Sequence, residues 1–498
     1  MRVIAGQGAG GALAWLFVLC ASLALLASAV AAGSAERPLA LVCVGVALAA
    51  TTRRTFLSWR GLVAALIVVI LFIPIRRYTV PGNLPFQLEP YRILVALLVI
   101  GWLGSLLTDP RVQLRKTGFE GPIALIVATS LGSVLVNPQR FQLVSSDVNK
   151  KLMFFASFLL VLYLVASVIR QVDAVEHLIR TLVIGGSVVA VFSVIEARTG
   201  FNVFNHLHRA LPMLKLTHEP NTLGRGAARL RVFGSAQHPI ALSAALVMLT
   251  PLSLYLARRY RQKRWWACSL ACVAAVTATV SRTGVMMLVV VVLVFLWLRP
   301  RETRQLWPAL LPALVVIHFA LPGTIGSLTQ AFFPSGGLVA QQESSPGASG
   351  SGRLADVGPA LDQFKLQPLF GQGFGTRVVN PGAGAVPANV LDDQWLGSLL
   401  ETGVAGVAAW LWFFGRAVRR FGREAKRDTS DRGWLLAALA AGIAAYAVGM
   451  LTYDAFSFIQ VTFLLFFFIG LGSAVYQTVP EPAVVRSRVQ EIAPEPSR

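Results

Sequence analysis

Apolar runs of membrane-spanning length recur along nearly the whole chain, and that recurrence limits the fold more than any other feature of the sequence. Charged residues make up only 13% of the 498 residues, about half the share usual in soluble domains. A transmembrane β-barrel needs short stretches of alternating polarity, and no such pattern competes here. The expected fold is an all-α polytopic membrane protein with about 14 transmembrane helices (12–14) and two long extracytoplasmic loops. The spans fall at about 10–32, 38–50, 61–75, 91–107, 121–136, 152–169, 178–197, 238–257, 265–280, 284–298, 307–322, 394–415, 433–451 and 455–477. Residues 1–477 are then a single helical transmembrane domain. Loops 198–237 and 323–393 stand outside the membrane, and 478–498 reads as a disordered cytoplasmic tail.

The formal net charge of +21 has a topogenic explanation, so no nucleic-acid partner follows from it. The basic loops "RRYRQKR" (258–264) and "RPRETR" (299–304) and the segment 416–432 fall on one side only if 265–298 crosses twice. That side is cytoplasmic, takes in Arg53, Arg54, Arg60, Arg111, Arg115 and Lys116, and leaves both termini inside. The start, "MRV…LLASAVAAGSA", has the pattern of a secretory signal, but its apolar stretch is long enough for an uncleaved first helix. Cys20, Cys43, Cys268 and Cys272 all lie within apolar runs and imply neither a disulfide nor a metal site.

The stretch "VTATVSRTGVMMLVVVVLVF" holds one permanent cation, Arg282. A single helix over 265–298 would be about 50 Å long, against a hydrocarbon core of about 30 Å. The run therefore folds back, with "SRTG" as the corner and Gly284 supplying turn freedom. Each half is then roughly 22 Å, short for a full crossing, so the corner dips below the outer surface. Two readings of Arg282 are open: snorkelling at a helix end, or anion binding in an outward-facing cavity. Other basic residues on the outer side favour the second. Arg225, Arg229 and Arg231 precede the span that starts near His238, Arg92 opens a helix, and Arg76 and Arg77 read as headgroup contacts. A diphosphate accounts for such residues, because guanidinium groups are planar, always charged and bind phosphate oxygens in pairs. In the second long loop, "GRLADVGPALDQFKLQP" spaces Leu354, Val357, Leu361 and Phe364 as a short amphipathic helix, opened by Arg353.

Four segments follow one another on the expected outer side: "RLRVFGSAQHPIALSAALVMLTPL", "SRTG", "GRLADVGPALDQFKLQPLFGQGFGT" and "DDQWLGSLLETGVAGVAAWLW". They resemble the R-x-x-G-x-x-x-H-P-N, Ser-Arg-Gly, G-R-x8–10-P-x-x-G-x-G-x-G/T and H-N-x-x-L-x-x-x-x-E-x-G-x-x-G motifs of the O-antigen ligase and Wzy-type polymerase superfamily. The resemblance covers roughly residues 60–475. It implies a metal-independent membrane glycosyltransferase of the GT-C type, polymerase or ligase, with no cofactor and an active site facing outside the cytoplasmic (inner) membrane. Such an enzyme moves a glycan from a polyprenyl (undecaprenyl) diphosphate carrier to an acceptor sugar hydroxyl, in cell-envelope biogenesis. The implied partners are the lipid-linked glycan donor, a glycan or lipid-glycan acceptor, membrane lipids and polysaccharide-assembly proteins.

Carried over by motif, Arg231 and Arg282 hold the diphosphate leaving group. Aligned on Glu401 and Gly403, Asp392 stands where ligases have histidine and Asp393 where they have asparagine. Either carboxylate is a candidate general base. The departure points away from a lipid A-core ligase and toward polymerase-like branches. Both acids also suit the cap of a helix starting near Gln394. His238 either binds substrate or caps its span, and the family's asparagine is Ile240 here. Arg353 reaches the glycan or diphosphate, or pairs with Asp356. Arg92 and Arg229 join substrate binding, and Glu401 pairs with a cavity arginine. The alternative function is a transporter or flippase of a lipid-linked glycan. A flippase exposes its cationic site to both faces in turn, whereas these arginines gather on one side.

Overall fold

The computed structural model describes residues 58–477 apart from 82–87, 219–223, 226–228, 306, 334–336, 338–355, 380–387 and 389–390. The expected spans at 10–32 and 38–50, the tail 478–498 and Arg353 lie outside the described residues. The helices that matter here are α1 (Trp59–Phe72), α2 (Pro90–Thr108), α3 (Glu120–Val136), α4 (Ser145–Val168), α5 (Val172–Thr199) and α6 (Pro239–Tyr260). They continue with α7 (Lys263–Ala278), α8 (Arg282–Leu298), α9 (Leu310–Ala320), α10 (Val357–Leu366), α11 (Gln394–Arg427), α12 (Asp431–Gly449) and α13 (Ile459–Gln477). Every expected span from 61–75 onward coincides with one of them. Seven helices among the described residues are long and apolar enough to cross a membrane: α2, α4, α5, α6, α11, α12 and α13. The protein is a mostly helical membrane protein.

Apolarity on all sides puts a helix at the centre of a bundle. Accordingly 89% of the most apolar stretch of α6 and 94% of that of α13 is buried. Small residues in "LLAALAAGIAAYAVG" let neighbours approach α12 closely. A Cβ at Gly442 would stand 2.6 Å from the Phe468 ring of α13.

The basic segments meet at one end. Arg258 and Arg259 reach Asp431 at 3.3 and 3.1 Å, and Arg259 pairs with Glu176 at 2.7 Å. Arg416 and Arg420 donate to the Gly118 and Thr117 carbonyls, both at 2.6 Å. Segments predicted to share the cytoplasmic side are therefore neighbours, with α7 and α8 crossing the bundle as a hairpin.

The hairpin corner differs from expectation in its mechanism. The chain turns at Val280, whose φ is 49°, and Gly284 is already inside α8, capped by Ser281. Gly284 instead allows close packing, since a Cβ there would lie 2.8 Å from Ser243 Cβ on α6. The short helix α10 forms as expected, but Val357 and Leu361 are exposed and Ala360 faces inward.

Sidedness is testable with single cysteines in a chain whose four native cysteines are replaced. Val379→Cys, at an exposed loop position, is expected to react with an impermeant maleimide in intact cells. Arg427→Cys, at the basic end of α11, is expected to react only after permeabilisation. The reverse pattern refutes the orientation.

Candidate active site

The end opposite the basic loops gathers the four motif segments. The first, 231–238, is clamped from both sides by buried charge. Glu196 of α5 accepts from Gly234 N at 2.9 Å and Phe233 N at 3.4 Å. Asn202 donates to Gly234 O at 3.0 Å, and Arg77 donates to the same carbonyl at 3.2 Å, to Asn205 at 3.0 Å and to Ala236 O. Arg77 is thus a buried clamp, 3% exposed, and not the headgroup contact expected from its outer position. Burial brings its pKa down to about 10, with Glu196 opposing the shift.

This clamp delivers Arg231 to the hairpin corner, where its Nε donates to Thr279 O at 3.2 Å. Arg282 opens α8 three residues later. It is half-buried, with one terminal guanidinium nitrogen shut from solvent, so it does not snorkel free. Thr283 beside it accepts from the Thr452 hydroxyl at 2.9 Å. His238 caps α6, accepting from Ile240 N at 3.2 Å, while its ring stacks on Phe458 at 5.7 Å.

The third and fourth motifs prove to be two halves of one structure. Helix α11 breaks at Gly403 (φ 66°, ψ −167°), a conformation essentially restricted to glycine. The break strips backbone groups of their helical partners, and such groups need others. Segment 368–373, "PLFGQG", supplies them. Gln372 N donates to Leu400 O at 2.8 Å and Gly373 N to Glu401 O at 3.1 Å. Val404 N and Ala405 N donate to Pro368 O and Leu369 O at 2.9 and 3.3 Å. A Cβ at Gly371 would sit 2.6 Å from Leu400 O, so the approach depends on glycine.

This pairing aims Glu401 into a mixed-charge cluster. Its carboxylate meets Lys151 Nζ at 3.3 Å, and that ammonium also donates to Arg377 O at 3.0 Å. The expected partner was an arginine; the observed one is a lysine in the second turn of α4. Arg377 donates to Gln363 at 3.0 Å, and Arg140 to Gln372 at 2.6 Å. Burial draws the Arg377 pKa down, partly offset by Glu401 and reinforced by Arg140.

Of the two motif acids, Asp393 caps α11, accepting from Leu396 N at 3.0 Å, and Asp392 lies half-buried next to it. Arg92 pairs with Glu89 at 2.6 Å and lies over the Phe154 ring at 4.9 Å, on the α2–α4 side. Arg229 pairs through its backbone with Arg225 in a short antiparallel ladder.

The link 450–458 between α12 and α13 was not singled out from sequence, yet it touches most of these parts. Besides the contacts of Thr452 and Phe458, Gln394 N donates to Met450 O at 2.8 Å and Phe456 N to Gln394 Oε1 at 2.9 Å. With its amide oriented to suit its neighbours, Gln237 donates to Ser457 O at 3.3 Å. Asp454 accepts from the Ser457 hydroxyl within this link. Its pKa is raised, chiefly by burial and further by Glu401, while Ser457 and Lys151 oppose the shift. The missed signals were Arg140 and Lys151 on the side expected to face outward, against the charge rule, and one acid, Asp454, in a link between two strongly apolar spans.

Residues 267–411 match the family model described as O-Antigen ligase. This stretch is similar to the O-antigen ligase family. It runs from α7 through Arg282 and the glycine segment to the second half of the α11 break, so the resemblance read from the motifs holds there. The match supports glycosyl transfer of the ligase or polymerase type, with a lipid-linked glycan donor and a glycan acceptor in general. Comparison with curated proteins gives no match.

The break in α11 makes a stability prediction. Gly403→Ala places a side chain where only glycine fits, and is expected to cost about 1–3 kcal/mol or more. Thermal unfolding in detergent measures this; an unchanged midpoint refutes the pairing of 368–373 with α11.

Proposed function

We propose that the protein transfers a glycan from undecaprenyl diphosphate to an acceptor sugar hydroxyl at the outer face of the cytoplasmic membrane, as polymerase or ligase. The observation that carries this reading is the bond from Arg231 to the Thr279 carbonyl, at the corner that opens into Arg282. Arg231 from one motif is bonded three residues before Arg282 of another, which opens α8, whose N-terminal dipole adds positive potential.

In the reaction the acceptor oxygen attacks the anomeric carbon, and the bond from that carbon to the diphosphate oxygen breaks. Negative charge grows on the leaving group. Arg231 and Arg282, held in place before the reaction, stabilise that charge most where it is greatest, in the transition state. His238 and Glu401 are proposed as substrate contacts beside them. Asp392 and Asp393 are proposed on the acceptor side, where their motif register matches the family's histidine and asparagine. Arg353, Arg229 and Arg92 are proposed as outlying contacts with the glycan or the carrier.

The test uses the protein in proteoliposomes with lipid-linked glycan extracted from its native membranes. Arg231→Ala and Arg282→Ala are each expected to lower transfer by about 10²–10³-fold, with membrane insertion retained. Each is also expected to weaken binding of added undecaprenyl diphosphate. Transfer at the wild-type rate by both variants refutes the proposal, and redistribution of the donor without chemical change favours a flippase.

A further inference from the structure

We infer that Asp454 accepts the proton of the attacking hydroxyl, which makes the link 450–458 part of the catalytic machinery. The inference rests on the glycosyl-transfer reading and adds a group that the motifs do not contain. Every transfer of this kind must take a proton from the acceptor as its oxygen bonds to the anomeric carbon. A side-chain base positioned for that step is typically worth about 10²–10⁴-fold.

Three observations select Asp454. The first is its place. Thr452, two residues before it, bonds to Thr283 beside Arg282. Ser457, three residues after it, is tied to Gln237, and Phe458 stacks on His238. The carboxylate therefore stands on a link anchored to both cation-bearing motifs, and the same link bonds to Gln394 at the start of α11. The second is its surroundings. Glu401 on α11 and Lys151 on α4 act on Asp454 electrostatically, and Asp454 in turn acts on Arg377 of the second long loop, Tyr446 of α12 and Tyr453 next to it. Glu401 is paired with Lys151, while Asp454 is hydrogen-bonded by Ser457. The third is the Tyr453 hydroxyl, which is buried and has no hydrogen-bond partner among the described residues. A buried orphan hydroxyl is destabilising, and it leaves an uncommitted hydrogen-bonding group on the residue next to Asp454. Asp393, by contrast, is engaged as a helix cap.

The proton balance is simple. The acceptor O–H passes its proton to an Asp454 carboxylate oxygen, its oxygen bonds to the anomeric carbon, and the diphosphate leaves with the electron pair of the broken bond. Asp454 must be ionised to act, and burial together with Glu401 raises its proton affinity. Turnover is therefore expected to fall as pH drops through a value raised from that of an ordinary aspartate.

The experiment measures undecaprenyl diphosphate released from native lipid-linked glycan by the full-length protein in proteoliposomes, with acceptor glycan from the same cells, across pH 4–9. Asp454→Asn is expected to lower turnover at least 100-fold and abolish the acidic limb, with binding of undecaprenyl diphosphate within threefold of wild type. Asp454→Glu is expected to restore part of the rate. Ser457→Ala, which removes a hydrogen bond to the carboxylate, is expected to move the acidic limb upward and provides a second reading if Asp454→Asn does not fold. An acidic limb unchanged in Asp454→Asn or unmoved in Ser457→Ala, or one removed by Asp392→Asn alone, overturns the inference. If Arg282→Ala abolishes release while Asp454→Asn does not, only the role of Asp454 fails. If Arg282→Ala also releases product at the wild-type rate, the glycosyl-transfer reading itself fails.

Discussion

The backbone of α11 cannot continue through Gly403 as a regular helix, and the consequences of that break organise one side of the site. Carbonyl and amide groups freed within an apolar bundle must find partners in protein or in a wet cavity. Segment 368–373 provides them by pairing with residues 400–405. The pairing brings a loop that lies far away in sequence, with Gln372 and Arg377, against Glu401 and Lys151. Two glycine-bearing motifs separated by a long loop are thus one device, and the charged cluster follows from it.

The other side of the site is held by a different force. Arg77 and Glu196 are both buried charges that grip the backbone of 231–238, one through its carbonyls and one through its amides. Buried charges are tolerated when their hydrogen bonds are met, and here the backbone of a functional loop meets them. The link 450–458 then joins the two sides, with Thr452 at the hairpin corner and Phe456 at the start of α11. The proposed transfer, with the donor at Arg231 and Arg282 and the acceptor at the carboxylates, needs such a connection, because both substrates must be held in register.

Much of this was legible in the sequence. Among the described residues each expected apolar run maps to a helix, because a membrane-length segment has few alternatives once its backbone must bond to itself. The hairpin of α7 and α8 followed from a length that one crossing cannot hold. The motif arginines were visible because permanent charge on a side expected to face outward is rare. Lys151, Arg377 and Asp454 were harder to see. Nothing in their local spacing marks them, and they gain meaning from contacts with residues that are more than 50 positions away or carried on other helices. Gly284 was noticed for the wrong reason: the turn belongs to Val280, and the glycine is there for Ser243.

By itself the sequence determined the class of molecule, the positions of the apolar helices among the described residues and the chemistry of its cations, since these depend on local hydrophobicity and on charge that no environment removes. Only the tertiary structure decided which polar groups share the site, which charges are spent on clamping backbone, and which acid stands on the link between the cationic motifs. Those outcomes depend on through-space distance and burial, which for Arg77, Glu401 and Asp454 arise only when helices distant in the chain pack together.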